Sequence, residues 1–182
     1  MGNVVLKPPV IRANAKLKND RRYDSILRLA HRAFVETGFE GTSMQDVARK
    51  AQMSVGNLYH YFPSKMALVK ALIVRHFDEL DGELDVAAGC PDPLAAFKAT
   101  MHNRIAQRHT GNGTLNAEIA AGVSTTPELA TIVSKRMEGI THSLARIIGP
   151  ACNLNEASVL KRARAASLIM HGAMTSPQTS EW

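Results

Sequence analysis

The stretch from Thr42 to Lys65, TSMQDVARKAQMSVGNLYHYFPSK, constrains this chain more than any other. Two short apolar patterns of helical period flank a three-residue break, and a proline closes the second. Thr42 and Ser43 both suit an N-cap, and Gln45 and Asp46 stand three positions after them, so a capping box forms in either register. Met44, Val47, Ala48 and Ala51 then fall at i, i+3, i+4 and i+7, one buried helical face. Gln52-Met53-Ser54 breaks that pattern. A second helix runs from about Val55 to Tyr61 and stops at Phe62-Pro63, because the residue before a proline is pushed out of helical geometry. Leu58 and Phe62 face inward; Val55, Gly56, Asn57, His60 and Tyr61 face outward, with Tyr59 at the edge. A helix this short does not hold its own shape in water, so other helices must brace it.

A short helix with small and polar residues exposed at its N-terminal end fits the major groove of DNA. In a helix-turn-helix the second helix presents its first residues to base edges while the first helix crosses the backbone. The residues Phe39-x-x-Thr42-Ser43-x-x-Asp46-Val47-Ala48, followed by Ser54-x-Gly56-x-Leu58-Tyr59-x-Tyr61-Phe62-x-x-Lys65, resemble the DNA-binding domain of the TetR family of bacterial transcriptional regulators. The resemblance covers roughly residues 22–80 and is most specific from Gly56 to Lys65.

Charge supports a nucleic-acid partner independently. The net charge is +6, and residues 1–70 hold 12 Lys and Arg against 5 Asp and Glu, whereas residues 71–182 hold 10 against 11. The basic excess lies wholly in the segment carrying the two short helices, the footprint of a DNA-binding module joined to a neutral one. Hydrophobic residues make up 45% of the chain and aromatics only 5%, which excludes wholesale disorder and favours helices over sheets. No apolar run approaches the roughly 18 residues of a membrane span, and a cytoplasmic protein is expected. Cys90 and Cys152 lack metal-ligand spacing and are too few for a disulfide framework.

Taken in order, residues 1–20 read as a flexible arm carrying Lys7, Arg12, Lys16 and Lys18. The first helix is expected from about Arg21 to Thr37, with Ile26, Leu27, Ala30, Ala33 and Phe34 as its stripe and Gly38 as its stop. Residues 21–65 form the helix-turn-helix domain and 66–90 a connecting helix and linker; Ser64 caps that helix, about Lys65 to Leu84. Asp92-Pro93 and Thr126-Pro127 are cap-and-proline starts, and Asn155 with Glu156 opens a last helix to about Met174. Residues 91–175 thus make a larger helical domain, and 176–182 a tail. The expected architecture is all-α: an N-terminal three-helix helix-turn-helix domain and a larger C-terminal helical domain for ligand binding and dimerisation, about eight helices in all.

By the family resemblance, Val55, Gly56 and Asn57 face the bases, with Ser43, Met44 and Gln45 at the groove edge. Tyr59, Tyr61, Ser64 and Lys65 become phosphate anchors, with Tyr59 alternatively a core-edge residue. The connecting helix would carry a ligand signal to the DNA. Family members usually add a ninth helix at the dimer interface, for which TSPQTSEW leaves no room. In the larger domain the candidate ligand contacts are Phe97, Met101, Ile105, Ile119, Met137 and Met170, with His102, Glu118, His142 and His171 as polar partners; each is alternatively plain core or a solvated side chain. No catalytic, cofactor or metal motif emerges; His102 and His109 share a face but lack a third ligand. The implied function is a ligand-responsive regulator, a repressor binding a palindromic operator as a homodimer and released by an unknown small-molecule effector. Two alternatives stay open: a DNA-binding architectural protein without effector, and a helical small-molecule-binding protein that has lost DNA binding.

Overall fold

A computed structural model describes residues 9–106, 112–152 and 154–175. Among them there are eight α-helices and one short 3-10 turn, with no strand. The helices are α1 (Pro9–Gly41), α2 (Met44–Lys50), α3 (Val55–Tyr61), α4 (Lys65–Ala88), α5 (Pro93–Ala106), α6 (Asn112–Thr125), α7 (Pro127–Ile148) and α8 (Glu156–Thr175). The chain divides into two compact units, Met1–Leu68 and Val69–Trp182. No helix among the described residues is long and apolar enough to cross a membrane.

In the first unit α1 starts at Pro9, well before the expected Arg21, so residues 9–20 are helical and not a free arm. Proline is tolerated at the first helical position, and Ala13, Ala15, Lys16, Leu17 and Lys18 are good helix formers with no stop signal among them. Lys7, on the arm, lies outside the described residues, as do the side chains of Arg12, Lys16 and Lys18. The helix is interrupted where the sequence placed its end: Gly38 has φ 72 and ψ 171, a conformation that glycine alone adopts without strain. Ile26, Leu27, Ala30, Ala33 and Phe34 are all buried. Phe39, beyond the break, sets its ring edge-on to Phe34 with centroids 4.9 Å apart.

Two capping registers were open for α2, and Ser43 takes the position. Its Oγ accepts from the Asp46 amide at 3.2 Å while the Asp46 carboxylate accepts from the Ser43 amide at 3.0 Å. Thr42 is buried and serves the fold, donating to the Gly38 carbonyl at 2.8 Å and lying 2.6 Å from the Thr37 hydroxyl. Gln52, at φ 51, turns the chain between α2 and α3. Ser54 caps α3 by accepting from the Asn57 amide at 3.2 Å, and Ser64 caps α4 by accepting from Ala67 at 3.0 Å.

In the second unit α7 packs against α8, α6 and α5. Leu129, Val133, Ile140, Leu144 and Ile147 bury one side of α7, and Val159, Ala163 and Ser167 bury one side of α8. Asp92 and Asn155 cap α5 and α8 as expected, whereas the Thr126 side chain makes no cap bond to α7. An edge of that face of α7 is bound to α4 by polar contacts. Arg136 meets Asp78 at 2.5 Å, Ser143 donates to Asp81 at 2.6 Å, Arg146 pairs with Asp85 and Lys70 with Glu128. α5 has no buried residue, and Leu94 and Ile105 on its apolar face are 36% and 49% exposed. The expected tail, residues 176–182, and His109 lie outside the described residues.

Candidate nucleic-acid interface and effector site

α3 is seven residues long and is fixed from one side. Leu58 is fully buried and Phe62, its C-cap residue, is 2% exposed. Beneath them lie the α2 residues Met44, Val47, Ala48 and Ala51, all buried. That leaves Gly56, Asn57, Tyr59 and His60 exposed on the outer face, with Val55 and Tyr61 half-buried. Among the described residues the Asn57 carboxamide makes no bond, which leaves both its donor and its acceptor available for a base edge. A Cβ built on Gly56 would meet nothing within 4 Å. The fold therefore does not need glycine there, and glycine in a helix costs roughly 1 kcal/mol relative to alanine.

The remaining groove-edge and anchor residues divide. Gln45 is exposed and available, while the Ser43 hydroxyl is committed, donating to Asp46 at 2.6 Å. Met44 was expected near the groove, but at 5% exposure it is core, because the Ser43 cap turns it onto the face of Val47, Ala48 and Ala51. Tyr59 is 45% exposed and so is not a core-edge residue. Lys65 donates to the Glu40 carbonyl at 3.2 Å, which leaves two of its three donors for a phosphate. Ser64 stands exposed at the start of α4, where its side chain caps the helix. Hydrogen bonds from Ser43 to Asp46, with Arg49 beside it, hold the Asp46 carboxyl below its ordinary range.

Three contacts that motif reasoning missed hold this face in place. The Arg22 guanidinium on α1 donates to the Ala51 carbonyl at 3.0 Å. The Tyr23 ring packs on Phe62, with centroids 4.9 Å apart. Lys50 pairs with Glu36 at 2.6 Å. The sequence signalled only a basic run at residues 21 and 22; no spacing rule connects Arg22 to a residue 29 positions away.

The cavities of the second unit include two beside α4. One, of about 360 Å³, lies between α4 and α7 and is lined by Val74, Phe77, Asp78, Asp81, Ile132 and Arg136, among others. The other, of about 550 Å³, lies between α4 and α5 beside Glu83, Val86, Thr100 and Arg104. Arg104 crosses that groove to fork onto Glu83 at 2.6 and 3.1 Å. None of the ten expected ligand contacts lines either cavity. Ile119 is core at 1% exposure. Ile105, His102 and His142 are exposed, and the His142 ring lies 2.8 Å from the carbonyl of Glu138 in its own helix. Phe97, Met101, Glu118, Met137, Met170 and His171 are half-buried; burial lowers the His171 pKa below 6.5. Cys90 and Cys152 are free thiols.

Residues 26–72 match the model of the bacterial regulatory proteins of the tetR family. Residues 26–72 thus carry a tetR-family segment, which includes all of α2 and α3. Among curated TetR-like relatives it is 35% identical over 95 residues to the transcriptional repressor KstR of Mycolicibacterium smegmatis, covering 50% of this chain and 45% of that protein. It is also 35% identical over 69 residues to the transcriptional activator FasR of the same organism, covering 38% and 32%. The chain thus matches less than half the length of these curated relatives. Among solved structures it is similar to Salmonella enterica GusR, with 26% identity, a TM-score of 0.65 and coverage of 86% and 83%. AibR, solved with isovaleryl coenzyme A and operator DNA, shares the fold at 21% identity and a TM-score of 0.59, over 86% and 88% of the two chains.

Proposed function

We propose that the chain is a ligand-responsive repressor that binds a palindromic DNA operator as a homodimer in the cytoplasm and is released by a small-molecule effector. The observation that carries this reading is the outer face of α3: an exposed Gly56 that the fold does not require, beside an Asn57 side-chain carboxamide with no partner among the described residues. Val55, Gly56, Asn57 and Gln45 read bases, and Tyr59, Tyr61, Ser64 and Lys65 hold phosphates. The basic balance of residues 1–70 supplies the attraction.

A second copy of the chain fits the far side of α8. Ala165, Leu168, Ile169, Gly172 and Ala173 are exposed there at helical spacing, and Leu168 and Ile169 are 62% and 72% exposed. Pairing two copies would bury this strip and set two recognition helices about one DNA turn apart. The effector occupies the helical domain, and the cavities beside α4 join the sequence-derived contacts as the sites proposed for it. An effector favouring an arrangement that DNA does not accept shifts the population away from the bound form. By fluorescence anisotropy, a compound that raises the thermal midpoint should release a labelled operator duplex bound by two chains. The reading fails if stabilising compounds leave the duplex bound, or if one chain suffices per palindrome.

A further inference from the structure

Arg22 does something other than add to a positive field. Its guanidinium donates to the carbonyl of Ala51, the C-cap residue of α2, which is 3% exposed. The neighbouring carbonyls of that turn are already taken from within: Val47 by the Ala51 amide, Ala48 by Met53 and Arg49 by Gln52. Arg22 thus ties the backbone of this turn to α1. The next residue, Tyr23, packs its ring on Phe62 at the other end of α3. Two consecutive residues of α1 therefore grip the backbone just before α3 and the side chain just after it.

A seven-residue helix has little stiffness of its own, so its angle is set by what holds its ends. Reading bases through bidentate contacts requires side chains held within roughly 0.5 Å of the productive geometry. A charge-assisted bond from a planar guanidinium gives direction as well as strength. We infer that Arg22 is a positioning residue for the recognition helix: it fixes the α2–α3 turn so that α3 meets the groove at the angle that distinguishes sequences. The inference rests on the DNA-binding reading above and goes beyond it, because a phosphate contact at Arg22 would raise affinity for every sequence alike.

The test compares Arg22→Met, which keeps the aliphatic stem but no donor, with Arg22→Lys, which keeps a charge but not the planar fork. Two duplexes serve as probes: the sequence the unaltered protein selects from a random pool, and a scrambled duplex of the same composition. If the unaltered protein shows no preference between them, the DNA-binding reading fails and this inference falls with it. Given a preference, Arg22→Met should lose about tenfold on the selected duplex and little on the scrambled one. Its salt dependence should stay as before, and Arg22→Lys should fall between the two. Equal losses on both duplexes, with a salt slope shallower by about one, would make Arg22 a phosphate contact and overturn the inference. Unchanged binding by Arg22→Met would overturn it too. Should Arg22→Met not fold, Arg22→Lys decides: a reduced preference with scrambled-duplex affinity intact supports positioning, and an unchanged preference refutes it.

Discussion

The first unit holds its parts by directed bonds to backbone, and the second holds the edge of its long helices by exposed charge. Thr42 reaches the Gly38 carbonyl, Arg22 the Ala51 carbonyl and Lys65 the Glu40 carbonyl; each fixes a turn or helix end at one place. Between α4 and α7 the contacts are instead ion pairs such as Arg136 with Asp78 and Arg146 with Asp85, more than a third exposed on every side chain. Exposed pairs contribute only about 0–1 kcal/mol each and exchange readily with water. The contrast is between a unit built for one geometry and a rim that can adjust when a cavity beside it is filled.

The strongest way to break this comparison is Leu58→Ala. Leu58 is fully buried under a helix that cannot stand alone, so urea unfolding should show a loss of about 2–5 kcal/mol, with DNA binding abolished. A near-normal midpoint with binding retained would mean that α3 is not held from beneath. Next comes the outer face. Asn57→Ala should flatten the preference at one base position by about 1–3 kcal/mol, while Tyr61→Ala weakens all sequences about equally. Selection from random duplexes with each variant separates those roles, and an altered preference for Tyr61→Ala would remove it from the phosphate set. Gly56→Ala sharpens the same point. Its thermal midpoint should hold or rise, since alanine is favoured by roughly 1 kcal/mol and meets no neighbour, yet its DNA affinity should drop. Equal affinity would show that nothing approaches Gly56 closely.

Smaller effects are expected at the rim. Arg136→Ala should change stability by no more than about 1 kcal/mol, and a double-mutant cycle with Asp78→Ala should give a coupling that fades in high salt. A coupling of several kcal/mol would make the rim rigid. Smallest is the acid response of the Asp46 box. Its folded pKa lies below the usual 3.8, so the folded unit binds fewer protons there than the unfolded chain. Its contribution is present above about 3.8 and is lost as pH falls through the lower folded value. Asp46→Asn should therefore be less steep than the unaltered protein in an acid unfolding series below that pH.

Which side of α3 faces out was legible because its signals are local. Ser54 caps, Leu58 and Phe62 anchor and Pro63 stops within ten residues, so period and cap alone fix which side of α3 faces out. Where one residue satisfied two rules, the fold chose: Met44 went to the core face that its spacing also predicted. The helix α1 starts earlier than the expected Arg21, where residues 1–20 read as a flexible arm, because proline at a first helical position continues into helix. The position of the cavities beside α4 was not legible. On α5 and α7 an apolar stripe says which side avoids water, but not which neighbouring helix stands there or where space remains. The cavities beside α4 are lined by Asp78, Asp81 and Arg104, residues whose sequence pattern reads only as a charged surface.

Selection of bound duplexes from a random pool at two salt concentrations tests the central claim most directly. The account predicts a palindromic motif with half-sites about one turn apart, bound by two chains, with an affinity that falls steeply as salt rises. Recovery of sequences no different from the starting pool would contradict it, leaving the face of α3 without the partner its geometry implies.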